Sequence, residues 1–374
     1  MAAARAYLPG GRIGAGLEAL TALRARIMAR FLEAGAAPVE PETLISADLL
    51  LDLYGEDIRA RAYILHDPVE GELALRPDFT VPVARLHMEG GAAPARYAYE
   101  GLVWRRQAPG SARPAEYLQA GIELIGGADP AAEEAEAFTL IEGALAGVET
   151  RAMTGDLSIA FAAIAALRTT EPRRAALRRH LWRPARFQAL LDRFAAPPLP
   201  SPSRARLLAM AAPARRAEIA AAGGFVGARG EAEILERLAV LAAEEAAAPL
   251  AAEEKAMIEA VLKVRGPSGE ALARLRALAR PEMAPALDRM ARRLDALAAR
   301  GVEAGDLPFD AAFGRNLEYY DGFVFEFRAA RPGLPPLGGG GRYDALTALL
   351  STGPGGEPAV GGIVRPEALL AASA

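Results

Sequence analysis

The stretch from Tyr97 to Gly126, YAYEGLVWRRQAPGSARPAEYLQAGIELIG, constrains the fold of this chain more than any other. It opens with strand-forming residues, Tyr97 to Trp104, passes through a segment rich in Pro, Gly, Ser and Arg, and returns in a second apolar run, Tyr117 to Ile125. That pattern predicts a long antiparallel hairpin with polar residues at its turn. Alternate side chains of a strand share a face, so Arg105, Gln119 and Glu123 are expected to offer a cation, an amide and a carboxylate to one cavity. Three such groups can hold the two ends of an amino acid. A solvated hairpin with an arginine-rich tip accounts for the pattern equally well, and only the order of residues separates the two readings.

The run Trp104-Arg105-Arg106-Gln107, a further arginine at Arg113, and then Gln119-Ala120-Gly121-Ile122-Glu123-Leu124-Ile125-Gly126 come in a telling order. It resembles motif 2 of the class II aminoacyl-tRNA synthetases in the form carried by histidyl-tRNA synthetase. It resembles still more the regulatory subunits of ATP phosphoribosyltransferase, which are paralogues of that synthetase. The resemblance implies an α+β fold, a class II aminoacyl-tRNA synthetase-like antiparallel sheet flanked by helices.

At 374 residues, 52% of them hydrophobic and 24% charged, the chain can bury a large core and is expected to form a main domain plus a smaller one. A net charge of −4 argues against a surface that embraces nucleic acid as a whole. The absence of cysteine excludes disulfides and thiolate metal sites. His66, His87 and His180 lack metal-ligand spacing and read as structural or surface residues, so neither metal nor cofactor is expected. The N-terminus has no long apolar stretch after its charge, and no segment holds eighteen uncharged apolar residues. Neither export nor membrane insertion is expected, and the cytoplasm is the expected location.

From Gly16 to Glu33 the apolar residues Leu17, Leu20, Leu23, Ile27, Met28, Phe31 and Leu32 recur at helical spacing. A short edge strand bearing Pro41 is expected from Val39 to Ile45. Helix, strand and proline in that order resemble motif 1, the dimer-forming element of class II synthetases. Two strands, 62–67 and 72–76, are expected around a turn at Asp67-Pro68. They lead into Leu75-Arg76-Pro77-Asp78-Phe79-Thr80, which resembles the synthetase segment in which an acid and a threonine bind the substrate's amino group. Asp78 and Thr80 fall on those positions, although that family has Glu and Gly where this chain has Asp78 and Phe79. Asp78 also suits the cap of a helix beginning near Thr80, and the two roles are compatible.

After the hairpin, Asp129-Pro130 predicts a helix start, with Glu133, Glu134 and Glu136 near the positive end of its dipole. From 171 to 301 the chain is rich in Ala, Arg and Leu, with Pro and Gly breaks, and reads as an inserted helical subdomain between 1–170 and 302–374. Seven arginines against one glutamate between Arg168 and Arg186 read as a solvated helical face, with RNA or an acidic protein face as the alternative.

The segment from Phe309 to Glu326 predicts strand, turn at Asp321-Gly322, and strand. It resembles the histidine-specific element of the synthetase. Arg315 takes the place of the catalytic arginine, Tyr319 and Tyr320 take those of the imidazole-reading tyrosines, and Asn316 replaces a glycine. Gly338-Gly339-Gly340-Gly341-Arg342-Tyr343-Asp344 resembles the family's G-G-R-Y-D, whose glycines let backbone approach ligand and whose tyrosine, here Tyr343, stands beside the imidazole.

Motif 3 departs from the family. Ala368 stands where an ATP-clamping arginine belongs, and Arg365 where a glycine made room. Gln107 replaces the acid that reads the adenine amino group. The chain ends at Ala374, and no anticodon-binding domain is expected after motif 3.

The resemblance implies a non-catalytic regulatory subunit of ATP phosphoribosyltransferase, with a short-form catalytic subunit as partner, self-dimerisation through motif 1, and L-histidine as effector. The wiring it implies is Asp78, Thr80 and Gln119 on the amino group, Arg105 on the carboxylate with Arg315 beside it, and Glu123, Tyr320 and Tyr343 around the imidazole. Tyr319 completes the set. A minimal histidyl-tRNA synthetase-like enzyme is the alternative.

Overall fold

The computed structural model describes residues 13–54, 61–107, 111, 114–197, 201–222, 230–314, 319–351, 353 and 355–373. In chain order it forms α1 (Gly14–Glu33), β1 (Ala37–Pro38), β2 (Leu44–Ser46), α2 (Ala47–Tyr54), β3 (Ile64–Asp67), β4 (Gly71–Leu75), α3 (Thr80–Gly90), β5 (Ala95–Trp104), β6 (Glu116–Ile125), α4 (Pro130–Ala144) and β7 (Thr150–Asp156). Helices follow: α5 (Leu157–Ala165), α6 (Glu171–Arg179), α7 (Pro184–Ala195), α8 (Pro202–Ala209), α9 (Ala212–Ala221), α10 (Glu231–Ala246) and α11 (Ala252–Leu262). The chain then returns through β8 (Arg265–Pro267), α12 (Ser268–Leu278), α13 (Ala284–Ala299), β9 (Pro308–Asp310), β10 (Phe323–Ala329), β11 (Gly338–Arg342), α14 (Asp344–Leu350), β12 (Ala359–Val364) and α15 (Pro366–Ser373).

Two compact units result. Ala163–Ala260 forms the second, and the chain before and after it forms the first. The helical stretch expected over 171–301 therefore divides, because 261–301 is bound into the first unit. There β8 pairs with β9, and Arg293 of α13 places its guanidinium between Glu134 and Asp156 at 2.7 and 2.9 Å.

In the first unit nine strands form one sheet in the order β1-β5-β6-β12-β11-β10-β7-β9-β8. The sheet is mixed: β1 runs parallel to β5 and β7 parallel to β9, and the other neighbours are antiparallel. The hairpin read from Tyr97 to Gly126 forms as β5 and β6, with Tyr97 opposite Glu123 and Trp104 opposite Glu116. Strand alternation gives the sheet two unlike faces. Ala98, Ala120, Ile122, Leu124, Val360 and Val364 belong to a buried core that α1 and α4 share. Phe138 of α4 lies 6.5, 5.3 and 4.8 Å from the rings of Phe323, Phe325 and Phe327, three alternate residues of β10. The opposite face carries Gln119, Gly121 and Glu123 beside Gly361 and Ile363.

The helical periodicity of the N-terminal region is realised in α1, whose Leu20, Leu23, Ile27 and Phe31 are buried. The edge strand expected at 39–45 splits instead. Ala37–Pro38 joins the large sheet, Leu44–Ser46 joins a separate sheet ordered β2-β4-β3, and Pro41, which has no N–H to donate, lies between them. The turn between β3 and β4 is closed by Asp67, whose Oδ1 accepts the N–H groups of Val69 and Glu70. At α4, Asp129 accepts the N–H groups of Ala131 and Ala132 with Pro130 in the first turn. Glu134 does not serve the helix dipole in solvent. It is fully buried and accepts from Arg293 and Arg342.

The strand, turn and strand expected around Asp321 are not a hairpin. β7 lies between β9 and β10, pairing with both. The glycine run, a poor strand former by propensity, is a central strand with β10 and β12 on its two sides. In the second unit the arginine-rich segment is partly spent on internal pairs. Arg173 is buried and donates to Glu244 and to the Ala248 carbonyl, while Arg174 and Arg178 pair with Glu171. No helix among the described residues is long and apolar enough to cross a membrane.

Candidate functional site

The site lies on the glycine-rich face of the sheet, where β6, β11 and β12 meet the N-terminus of α3. A cavity of about 80 Å³ is lined there by Asp78, Thr80, Arg105, Gln119, Tyr319 and Tyr320, by the backbone of Gly338 to Gly340, and by Ile363 and Arg365. Six of the nine residues singled out from the sequence thus share one wall. Arg315 lies outside the described residues. Glu123 and Tyr343 do not line the cavity and sit directly behind it.

Glu123 is 1% exposed and enclosed by hydroxyls. Its Oε1 accepts from Thr80 Oγ1 at 2.9 Å and from Tyr99 at 2.8 Å, and its Oε2 accepts from Tyr343 at 2.6 Å. Burial outweighs these three donors and raises its pKa from 4.5 to about 7. The phenols of Tyr99 and Tyr343 are pushed well above their ordinary value by burial and then by the Glu123 charge. Glu123 demands space as well as partners: a Cβ at Gly361, its cross-strand neighbour, would stand 1.6 Å from Oε2.

Tyr99 is the member of this group that the sequence reading missed. Its ring stacks on Phe79 at 4.4 Å, and a Cβ at Gly121 would meet its hydroxyl at 2.5 Å. The strand pairing of Tyr99 with Gly121 was the available signal.

Gln119 is 1% exposed, and its Oε1 has no hydrogen-bond partner among the described residues. A buried acceptor left so is costly, and one lining a cavity is suited to a ligand donor. Asp78 supplies the negative charge beside it. Its Oδ1 also accepts the Val81 N–H at 3.4 Å, but the N-cap position of α3 is taken by Phe79, one residue later, so Asp78 does not fill the capping place expected of it. Arg105 is anchored through Nε to the Pro77 carbonyl at 2.7 Å and stands 3.7 Å from Asp78. Tyr319 packs edge-on to Tyr320 at 4.6 Å and to Tyr343 at 6.3 Å. Burial raises the Tyr320 phenol above its ordinary value.

A buried ionic frame fixes the tyrosine side. Arg342, fully buried, donates to Glu134 at 2.5 Å, to Asp344 at 2.9 Å and to the Pro130 carbonyl at 2.8 Å. Asp321 accepts the N–H groups of Asp344 and Ala345 at the start of α14. Burial and then the Asp344 charge raise its pKa to about 6.

A second cavity, about 360 Å³, opens beyond Arg105 and Arg365. Arg61, Arg106, Gln107, Tyr117, Pro335, Pro336 and Ala368 are among its lining residues. Position 368 offers no guanidinium there, whereas Arg365 does, held by a bond from Nη1 to the Pro336 carbonyl at 2.8 Å.

The fold is that of the class II synthetases. A solved ATP phosphoribosyltransferase regulatory subunit/histidyl-tRNA synthetase from Bacillus halodurans superposes with a TM-score of 0.71 at 23% identity, covering 100% of this chain and 84% of that one. A histidine–tRNA ligase subunit from Alicyclobacillus acidocaldarius gives 0.61 at 25% identity, covering 99% and 97%. The family model described as histidyl-tRNA synthetase matches residues 15–243 and 227–369. The ATP phosphoribosyltransferase regulatory subunit of Mesorhizobium japonicum is 34% identical over 91% of this chain and 94% of its own length. That of Brucella anthropi is 34% identical over 83% and 87%. The chain belongs to the family of ATP phosphoribosyltransferase regulatory subunits, a branch of the histidyl-tRNA synthetase-like proteins.

Proposed function

We propose that this chain activates a short-form catalytic subunit of ATP phosphoribosyltransferase and carries histidine feedback inhibition of the first step of histidine biosynthesis. The observation that carries the ligand reading is the acceptor set in the 80 Å³ cavity: the Asp78 carboxylate, the Thr80 hydroxyl and the unpartnered Oε1 of Gln119. A carboxylate with two neutral acceptors suits an ammonium group. Arg105 takes the α-carboxylate, with Arg315 beside it. Glu123, Tyr320 and Tyr343 take the imidazole, with Tyr319 packed against both tyrosines.

The cavity is smaller than the roughly 300 Å³ at the low end of ligand pockets. Glu123 is also already satisfied by Thr80, Tyr99 and Tyr343. Histidine therefore enters by displacing at least one hydroxyl from Glu123, and Tyr343 is the mobile partner. This exchange supplies two states that bind the effector differently, as any allosteric coupling requires. Ala368 lacks the charged fork that clamps a triphosphate, so the chain makes no histidyl-adenylate. It pairs with itself through the α1 and β1 region within the hetero-oligomer. Calorimetric titration of the chain with histidine tests the ligand reading. One site that disappears in Gln119→Leu is expected, and no heat of binding to the unaltered chain refutes it.

A further inference from the structure

Tyr320 lines the small cavity and Tyr343 sits behind it on Glu123, but the two arrive from different elements. Tyr320 lies shortly before β10, and Tyr343 stands between β11 and α14. The pairing of β10 with β11 stops at Val324 and Gly341, so the strand ladder itself does not reach either tyrosine. Asp321, which follows Tyr320 directly, makes the tie. Its N–H donates to the Arg342 carbonyl at 3.1 Å. Its side chain crosses to the start of α14, where Oδ1 accepts the Asp344 N–H at 3.2 Å and Oδ2 the Ala345 N–H at 2.6 Å. One carboxylate therefore joins the residue after Tyr320 to the two residues after Tyr343. Gly322 keeps the approach close: a Cβ there would meet the Arg342 side chain at 3.0 Å, and its carbonyl accepts the Leu157 N–H at 2.9 Å.

Both oxygens are used as acceptors, and only the ionised carboxyl offers two. The charges around it hold that state weakly. Asp344 is a like charge. Arg342 is committed to Glu134 and Asp344, with Glu133 at 3.8 Å. At the end of β7, Asp156 is paired with Arg293 at 2.9 Å, and the Tyr320 phenol, pushed above its ordinary value, stays neutral. Burial and then the Asp344 charge leave the Asp321 carboxyl titrating at about 6. Mild acid therefore removes one of the two bonds.

We propose that Asp321 is a positioning residue for the effector site: its doubly bonded carboxylate holds Tyr320 and Tyr343 at the spacing in which both meet the imidazole, and histidine binds the ionised form in preference to the protonated one. The proposal rests on the histidine site described under Proposed function and adds its regulation by pH. Asp321 touches no ligand. It acts by ordering two side chains before the ligand arrives, which lowers the entropy that binding would otherwise cost. Because Asp344 and Ala345 are held, Tyr343 turns its hydroxyl from Glu123 to the imidazole without its backbone drifting.

Asp321→Asn imitates the protonated state, since its amide offers one acceptor oxygen and turns a donor toward the second N–H. The test is calorimetric titration of the full chain and of this variant with histidine at pH 8 and pH 5, with thermal melts to establish that both are folded at each pH. At pH 8 the variant should bind histidine about tenfold more weakly, the low end for a hydrogen bond to a charged group. At pH 5, where about nine-tenths of Asp321 is protonated, the gap should close to about twofold. The imidazole of histidine and Glu123 titrate with both proteins and cancel in the ratio. A second measurement needs no variant. The Asp344 and Ala345 amide resonances of the isotope-labelled chain should titrate with a midpoint of about 6. Bound histidine should lower that midpoint by about one pH unit, the reciprocal of the tenfold preference. A gap of equal size at both pH values would overturn the proposal and make Asp321 merely structural. Equal affinities at pH 8, or a midpoint that histidine leaves in place, would overturn the tie while the histidine site stands. No binding of histidine to the unaltered chain at pH 8 would overturn both.

Discussion

Replacing Glu123 by glutamine tests the electrostatics of the site in its most buried group. The two side chains are nearly isosteric, so Gly361 still leaves room, and the amide oxygen accepts from Thr80 and Tyr99 as Oε1 does. What changes is the charge. The carboxyl of Glu123 has a pKa raised from 4.5 to about 7 in the folded chain, with burial as the main cause. The folded protein therefore holds this proton more tightly than the unfolded chain does. Folding takes up a proton between pH 4.5 and about 7, and stability falls as pH rises through that window. At about 1.4 kcal/mol per pH unit the full loss is about 3 kcal/mol, complete above pH 7. Glu123→Gln has no proton to lose, so relative to the unaltered protein it should gain about 2 to 3 kcal/mol between pH 5 and pH 8, part of the loss having already occurred below pH 5. Urea unfolding at those pH values measures it. Of the two tryptophans, Trp104 lies on β5 in the first unit and Trp182 in the second, so a Trp182→Phe background makes fluorescence report the unit that holds Glu123. A stability difference that stays constant from pH 5 to pH 8 would refute the reasoning, because Glu123 would then ionise alike in both states.

Other expectations follow from the same geometry. Arg342→Met leaves Glu134 and Asp344 without a buried cation and should cost about 3 to 5 kcal/mol, read by urea unfolding; a loss below about 1 kcal/mol would mean that solvent reaches the cluster. Gly361→Ala drives a methyl group into the Glu123 carboxylate, so it should destabilise by about 1 to 3 kcal/mol and abolish histidine binding, checked by thermal melts and calorimetry. The isolated chain should show no histidine-dependent exchange of labelled pyrophosphate into ATP, since Ala368 offers no clamp; exchange well above background would favour a synthetase.

Much of this was legible in the sequence, for identifiable reasons. The β5 and β6 hairpin was legible because period-two alternation and a polar turn leave one register that buries Ala120, Ile122 and Leu124 together. The α4 start was legible because its capping is local, with Asp129 bonding its own helix. What failed was non-local. Nothing near Asp321 shows that β7, which ends about 165 residues earlier at Asp156, comes between β9 and β10. Four glycines carry no strand signal of their own, and become a central strand because β10 and β12 supply pairing on both sides. Glu134 looked like a dipole charge until two arginines, 159 and 208 residues away, buried it. In the site, motif order found six cavity residues and singled out Arg365 as a departure, but Tyr99 emerges only when strand register is known.

The central claim is that this chain controls another enzyme through a histidine site. The direct measurement combines it with a short-form ATP phosphoribosyltransferase catalytic subunit and follows phosphoribosyl-ATP formation with and without histidine, for the unaltered chain and for Tyr343→Ala. The account predicts product only when both chains are present, suppression by histidine, and an active complex with weakened suppression in Tyr343→Ala. A catalytic subunit equally active alone, or a complex indifferent to histidine, would contradict it.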